Sequence, residues 1–216
     1  MKPHFFCACV LLFLAGMRGA SLTAAPGPPR VPDPPRGPRS APAYLGALVN
    51  PPLPKPRFTL TDTAGDPFDF RAKTQGYVTL LFFGYTRCPD ECPLHVANVA
   101  MGLKKLPMES RARIKLVFVT TDPMRDEPHV LRSWLDHFDG RFIGLTGSDA
   151  AIEAAQRAAG LPPARRAVRA GDDYAVGHAN VVLAYSKDNL AHLMYPGGVT
   201  PQDWAHDLAQ LVNETW

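Results

Sequence analysis

The order of secondary-structure patterns predicts an α/β fold with a thioredoxin-like layout, a central mixed sheet and an added N-terminal β-hairpin. Two nearly continuous apolar runs, Tyr77–Phe83 and Ile114–Thr120, have the composition of strands that are buried on both faces. A segment of helical period separates these runs, as in a parallel crossover unit. The chain then ends with a hairpin pattern and a helix. Its 216 residues are enough for one domain once the N-terminal segments are set aside.

The first elements of the domain follow from local patterns. The stretches "FTL" and "FDF" flank the turn-rich "TDTAGDP", so the region after Arg57 is predicted to be a small hairpin. The crossover helix is predicted to start near Cys92 and to stop before Pro107. Its apolar residues recur at steps of three and four: Val96, Val99, Leu103 and Leu106.

The later elements carry clear start and stop signals. An apolar stripe predicts a helix over 129–138, and "FIGL" predicts a short strand. Ser148 and Asp149 open a helix that runs to Ala159 and that Gly160 closes. The stretches "NVVLAYS" and "LAHLMY" predict a hairpin, and Thr200 with Pro201 predicts the start of the last helix.

The N-terminal region predicts export. Lys2 precedes an apolar run of 13 residues, Phe5–Met17, and small residues follow up to Ala25, which is the pattern of a secretory signal peptide. The run is shorter than the roughly 20 residues of a membrane-spanning helix, so cleavage is favoured over an uncleaved anchor. Residues 26–56 hold 12 of the 23 prolines and are predicted to be a linker, with the folded domain over 57–216. The expected location is the periplasm or the outer face of the cytoplasmic membrane.

The charge distribution argues against a nucleic-acid partner. The net charge is +3, from 23 basic and 20 acidic side chains that are mixed along the sequence without a basic stripe. The protein is expected to be a monomer that meets a membrane only through its partner or through an uncleaved signal segment.

Cys88 and Cys92 are the candidate chemical centre. The other two cysteines, Cys7 and Cys9, lie in the predicted signal peptide, so one pair remains after export. On a helix, a spacing of four residues would place both sulfurs on one side and about 6 Å apart at the α-carbons, which suits a redox pair and a metal site equally. The helix N-terminus is expected to favour their thiolate forms. An inert structural disulfide is less favoured because its loop would be very short.

Two histidines are candidates for a third ligand. His95 lies on the same predicted helical stripe as the cysteines, and His178 precedes a predicted strand; periodicity alone does not choose between them. Two thiolates and one imidazole form a soft set that favours Cu(I), with Zn(II) as the main competitor. A structural zinc site would want a fourth ligand, and none is evident.

The sequence resembles the Sco/SenC family from about Leu45 to the C-terminus. The resemblance is carried by "FFGYTRCPDECP", "TTDPMRDEPHVL", "FIGLTGS" and "YAVGHA". It implies a thioredoxin fold that binds copper, as Cu(I) or as Cu(II), through Cys88, Cys92 and His178. The implied partner is the copper-bearing subunit of cytochrome c oxidase or another copper chaperone. One departure concerns the histidine: the family often has an aspartate before it, where this chain has Gly177.

Three functions are compatible with these residues. The first is a copper metallochaperone for the copper centre of cytochrome c oxidase. The second is a thiol-disulfide oxidoreductase in which Cys88 and Cys92 form the catalytic redox pair and keep the copper-binding cysteines of a target reduced. The third, a thiol peroxidase, is least favoured because Cys92 would be superfluous. Asp122 is a further candidate, either as a carboxylate near the metal or in a proton relay.

Overall fold

The computed structural model describes residues 44–168 and 174–214, so the predicted signal peptide and the first part of the predicted linker lie outside the described residues. The strands are β1 Ala47–Pro54, β2 Thr59–Asp62, β3 Pro67–Asp69, β4 Val78–Gly84, β5 Ile114–Thr120, β6 Ile143–Thr146, β7 Arg165–Val168, β8 Tyr174–Gly177, β9 Val181–Tyr185 and β10 Leu190–Pro196. The helices are α1 Phe70–Lys73, α2 Glu91–Lys104, α3 Met108–Arg111, α4 Pro128–Asp136, α5 Asp149–Ala158 and α6 Pro201–Leu211.

The central sheet is mixed, as predicted. Its order is β1-β10-β9-β4-β5-β6-β2-β3. The three middle strands β4, β5 and β6 are parallel, whereas β9 and β10 run antiparallel to their neighbours. The predicted N-terminal hairpin, β2 and β3, extends the sheet beside β6. The thioredoxin-like layout with an added hairpin is therefore confirmed.

Helices cover both faces of the sheet, which explains the continuous apolar runs of the central strands. Leu80 and Phe82 of β4 point into a core that α2, α4 and α6 complete. Their neighbours Leu81 and Phe83 point into a second core on the other face, which α1 and α5 complete. Because successive side chains of a strand alternate between faces, a strand between two cores needs an apolar residue at every position.

Strand β1 corrects the predicted boundary between linker and domain. The prediction places residues 26–56 in a linker, but Ala47–Pro54 forms an edge strand that pairs with β10. Its register is interrupted between Leu48 and Leu53, where Pro51 and Pro52 lie. Proline removes a backbone donor, and an edge strand tolerates that loss because one of its sides has no strand partner. The folded domain thus begins before Arg57.

The β7–β8 hairpin was not predicted from the sequence. It forms a separate two-stranded sheet, and the segments Arg165–Val168 and Tyr174–Gly177 are only four residues each. Neither shows the alternation of apolar and polar residues that identifies a strand over a longer stretch. Its position matters because β8 leads directly to His178.

Helix α6 begins as predicted: the Thr200 hydroxyl accepts a hydrogen bond from the backbone N–H of Asp203, and the Asp203 carboxylate accepts one from the N–H of Thr200. Over residues 44–168 and 174–214, none of the helices combines the length and the apolar character needed to cross a bilayer.

Candidate metal centre

The two cysteines lie where strand β4 gives way to helix α2. Cys92 is in the first turn of the helix and is fully buried, whereas Cys88 precedes the helix and is partly exposed. The helix begins at Glu91, close to the predicted start near Cys92, so Cys88 precedes it and the helical spacing assumed for the two sulfurs does not apply to Cys88. The Cys88 sulfur instead accepts a hydrogen bond from the backbone N–H of Cys92, at 3.5 Å. It thereby satisfies one of the free donors at the helix N-terminus, where Asp90 provides no side-chain cap.

His178 meets the cysteines from another part of the chain. It follows β8, and its Nε2 atom lies 3.2 Å from the sulfur of Cys92. The three potential ligand atoms of Cys88, Cys92 and His178 all lie within 4.8 Å of one another. Both cysteines are free thiols in the structure. Among the described residues, no other histidine, cysteine or carboxylate joins this group.

A backbone carbonyl orients the imidazole of His178. The Nδ1 atom lies 3.2 Å from the carbonyl oxygen of Ala179, which can only accept a hydrogen bond. Donation to this carbonyl requires the proton on Nδ1, and that tautomer leaves the lone pair of Nε2 directed to the sulfurs. The carbonyl thus does the orienting for which an aspartate at position 177 would otherwise be suited.

Aromatic rings enclose the histidine. The Phe82 and Tyr85 rings contact His178 edge-on, with centroid distances of 6.0 and 5.9 Å. Burial lowers the pKa of His178, so the imidazole is held in the neutral form that can bind a metal. The two rings therefore limit the access of water to His178. The neutral imidazole remains available as a nitrogen ligand near neutral pH.

Burial also decides the protonation of Cys92. The helix N-terminus was expected to favour the thiolate, but removal of this sulfur from water raises its pKa strongly, and the nearby Cys88 raises it further. The desolvation of a fully buried thiol outweighs the partial charge of a helix end. Binding of a metal ion by Cys92 therefore requires the release of its proton.

His95, the other candidate ligand, lies in the hydrophobic core instead. It is 2% exposed. Its ring centroid lies 5.1 Å from that of Phe82 and 6.3 Å from that of Trp204. Burial lowers its pKa, so it is neutral. His95 is absent from the group of potential ligand atoms, whereas the β8–β9 connection brings His178 to Cys88 and Cys92.

Asp122 takes part in a separate polar cluster. Its side chain is fully buried and accepts hydrogen bonds from the Tyr174 hydroxyl, at 2.6 Å, and from the Arg125 guanidinium. It is absent from the group of potential metal ligands. The prediction of a carboxylate beside the metal is therefore not supported by the structure.

Asp126, which sequence reasoning missed, supports the cysteine loop. It is fully buried and accepts bonds from the backbone N–H and hydroxyl of Thr86 and from the hydroxyl of Thr120. Burial raises its pKa, and these three donors act in the opposite direction. The bonds tie the start of the cysteine loop to the end of β5.

The fold and the site define a thioredoxin-like protein with two cysteines and one histidine gathered at the N-terminus of its first long helix. The SCO1/SenC family model matches residues 49–213, and the chain belongs to this family.

Similar proteins agree with that assignment. A "putative copper-binding protein" of Stutzerimonas stutzeri is 36% identical over 143 residues, which are 65% of this chain and 69% of that protein. The mitochondrial protein SCO2 of Saccharomyces cerevisiae is 32% identical over 123 residues, 56% of this chain but only 40% of the yeast protein. The chain thus spans less than half of that relative.

Solved structures show the same fold. The apo Sco1 protein of Thermus thermophilus has a TM-score of 0.65 at 30% identity, covering 78% of this chain and 94% of that one. ScoI of Bradyrhizobium japonicum, solved with copper bound, has a TM-score of 0.63 at 26% identity and covers 74% and 99%.

Proposed function

We propose that the protein is an exported copper metallochaperone that holds one Cu(I) ion on Cys88, Cys92 and His178. The supporting observation is that two sulfurs and one imidazole nitrogen lie within 4.8 Å of one another. Thiolates and imidazole form the soft ligand set that Cu(I) prefers, and three ligands suffice for it. A structural zinc site would want a fourth ligand, and none of the described residues supplies it.

The site has one open and one closed side, which suits transfer. Cys92 is fully buried, whereas Cys88 is partly exposed at the surface. A thiolate of an incoming protein can therefore approach the metal beside Cys88 and replace one ligand at a time. A chaperone needs such a low-coordinate, accessible site, because a metal that is enclosed by four ligands has no route out.

The recipient that this family membership suggests is the copper-bearing subunit of cytochrome c oxidase. The test mixes the Cu(I)-loaded protein with the soluble copper domain of that subunit in its reduced apo form. Chromatographic separation followed by metal analysis should find copper on the subunit. Loading that is no faster from this protein than from a small-molecule Cu(I) thiol complex would contradict delivery.

A thiol-disulfide activity is the second candidate, and the exposure of Cys88 favours it. The partly exposed thiolate of Cys88 would attack a disulfide of the target, and Cys92 would resolve the mixed disulfide. Two electrons and two protons pass to the target, which leaves Cys88 and Cys92 as a disulfide. His178→Ala should abolish tight copper binding while this reduction persists, and either cysteine variant should abolish both.

The N-terminal assignments complete the proposal. Residues 1–25 act as a signal peptide that is removed on export, and the proline-rich residues 26–43 form the N-terminal part of the mature chain. Export places the copper site on the periplasmic side of the membrane, where a copper centre of the oxidase is assembled. Mass spectrometry of the protein isolated from its native host should give a chain that starts near Pro26. An intact Met1 would contradict cleavage of the signal peptide.

A further inference from the structure

The loop that carries His178 is tied to the cysteine segment on its downstream side. We call His178–Asn180, between β8 and β9, the histidine loop. The side-chain amide of Asn180 donates a hydrogen bond of 2.6 Å to the carboxylate of Glu91. Glu91 is the first residue of α2 and lies between the two cysteines. This hydrogen bond therefore joins the segment that carries both cysteines to the histidine loop.

The backbone of Gly197 closes the space behind this bond. A Cβ atom at position 197 would lie 2.7 Å from the amide nitrogen of Asn180 and 2.7 Å from the carboxylate oxygen of Glu91. Real Cβ atoms do not come so close to such atoms, so only glycine leaves the pair room. The pair is therefore packed against the end of β10 as well as hydrogen-bonded.

A second tie holds the upstream side of the histidine loop. The Tyr174 hydroxyl donates to the fully buried Asp122 at 2.6 Å. The Arg125 guanidinium lies 3.7 Å from the centroid of the Tyr174 ring and donates to the Tyr174 carbonyl at 3.2 Å. Asp122 and Arg125 follow β5, a central strand of the main sheet.

This second tie matters because of how β8 is connected. Strand β8 pairs with β7 in a separate two-stranded sheet, and among the described strands it has no hydrogen-bonded neighbour in the main sheet. The upstream flank of His178 therefore depends on side-chain contacts for its position relative to the cysteines, which are built on β4 and α2.

We propose that the Asn180–Glu91 and Tyr174–Asp122 bonds position His178, so that the affinity for Cu(I) depends on residues that do not touch the metal. The inference rests on the proposed function, since it assigns these residues a role toward the same site. A ligand on a loop that occupies its binding position for only a fraction of the time weakens the apparent affinity by that fraction. Asn180, Glu91 and Tyr174 are thus positioning residues.

The test is a competition titration of the reduced protein with Cu(I) and a chromogenic Cu(I) chelator, in two backgrounds. Asn180→Ala, Glu91→Ala and Tyr174→Phe are each made in the native chain and together with His178→Ala. Each should weaken Cu(I) binding about threefold to tenfold in the native background, as expected for the loss of one hydrogen bond. In the His178→Ala background, each should change the affinity less than twofold, roughly the scatter of additive independent effects.

Two controls separate positioning from charge and from folding. Asp90→Ala removes a neighbouring carboxylate that makes no side-chain cap bond, so it should leave Cu(I) affinity nearly unchanged. Glu91→Gln keeps an acceptor oxygen for Asn180 and should retain most of the affinity that Glu91→Ala loses. Thermal unfolding of the apo variants reports any general loss of structure.

The outcomes are distinct. Equal losses in both backgrounds, or losses in Asp90→Ala as large as in Glu91→Ala, would overturn the inference and leave the proposed ligand set intact. Unchanged Cu(I) affinity in all three variants, with a strong loss in His178→Ala, would also overturn the inference and leave the proposed ligand set intact. If His178→Ala itself binds Cu(I) as tightly as the native chain, the proposed ligand set fails first.

Discussion

Gly84→Ala should damage the metal site by adding one methyl group. Gly84 ends β4, directly before the cysteine loop. A Cβ atom there would lie 2.9 Å from the sulfur of Cys92 and 3.0 Å from two ring carbons of Phe118. Its φ angle is not positive, so the substitution acts through these contacts and not through backbone strain.

The contacts are too short for all three residues to remain in place. The Phe118 ring is fully buried, and its centroid lies 5.7 Å from that of Phe82 and 5.0 Å from that of Trp134, which limits its retreat. Overpacking of this kind costs about 1–3 kcal/mol. The sulfur of Cys92 is also fully buried, but rotation about one side-chain bond moves it, so we expect the sulfur to be displaced. In a well-formed metal site, the metal–ligand distances lie within about 0.2 Å of their usual values. Cu(I) affinity should therefore fall about tenfold or more, since about 1.4 kcal/mol corresponds to a factor of ten.

Gly144→Ala is the matched control. A Cβ atom at Gly144 would lie 2.8 Å from a methyl carbon of Leu135 and 3.0 Å from one of Leu131, so it is equally crowded, but its nearest neighbours include no cysteine or histidine. Thermal unfolding of both variants is measured beside Cu(I) competition with a chelator. Both should unfold at lower temperature, and only Gly84→Ala should lose Cu(I) affinity. Equal Cu(I) affinities in the two variants would refute the reasoning.

Three further predictions concern stability. Burial lowers the pKa of Lys55 to about 8, so between that pH and about 10.5 the unfolded chain binds one more proton than the folded chain. Between pH 7 and pH 11, the free energy of unfolding of the native chain should therefore rise by roughly 3 kcal/mol relative to that of Lys55→Met. Urea unfolding at several pH values measures this difference. Equal changes in the free energy of unfolding with pH in the two chains would contradict the prediction. Gly102→Ala should destabilise the fold by about 1–3 kcal/mol, because the new Cβ atom would lie 2.5 Å from the Cβ atom of Trp204 on the facing helix. An unchanged midpoint of urea unfolding would contradict this prediction. Thr200→Ala should cost about 1 kcal/mol through loss of the helix cap, with Thr200→Ser as the variant that should retain it.

The central sheet could be read from the sequence because its signals are local. Ile114–Thr120 was predicted with the bounds that the structure shows, since six of its seven positions are apolar or β-branched, Lys115 being the exception, and such a run suits a strand between two helical layers. Ser148 and Thr200 were identified as helix caps by the residues that follow them, and each accepts the predicted backbone bond.

Strand β1 shows what local signals leave out. Its prolines predict a linker, and its place in the sheet depends on β10, more than 130 residues later in the chain. An edge position makes proline acceptable, but no local pattern identifies that position. The short β7–β8 hairpin has the same difficulty, because its strands are recognised only by their pairing.

In the candidate site, too, only the features with a local sequence signal could be predicted. The pair Cys88 and Cys92 is evident from spacing, and its position after a buried strand is evident from the apolar run. The choice between His95 and His178 is not evident from the sequence. Helical periodicity shows that residues share one side of a helix, but it does not show what that side contacts. The raised pKa of Cys92 was also missed, since the burial of a single thiol depends on the packing of Gly84 and Phe118 around it.

The most direct test of the proposed ligand set is X-ray absorption spectroscopy of the Cu(I)-loaded protein at the copper edge. We expect one copper ion per chain with two sulfur ligands and one nitrogen ligand. His178→Ala should lose the nitrogen and keep both sulfurs, and His95→Ala should give the native spectrum. A native spectrum with two sulfurs and no nitrogen, or loss of the nitrogen in His95→Ala, would contradict the proposed copper site.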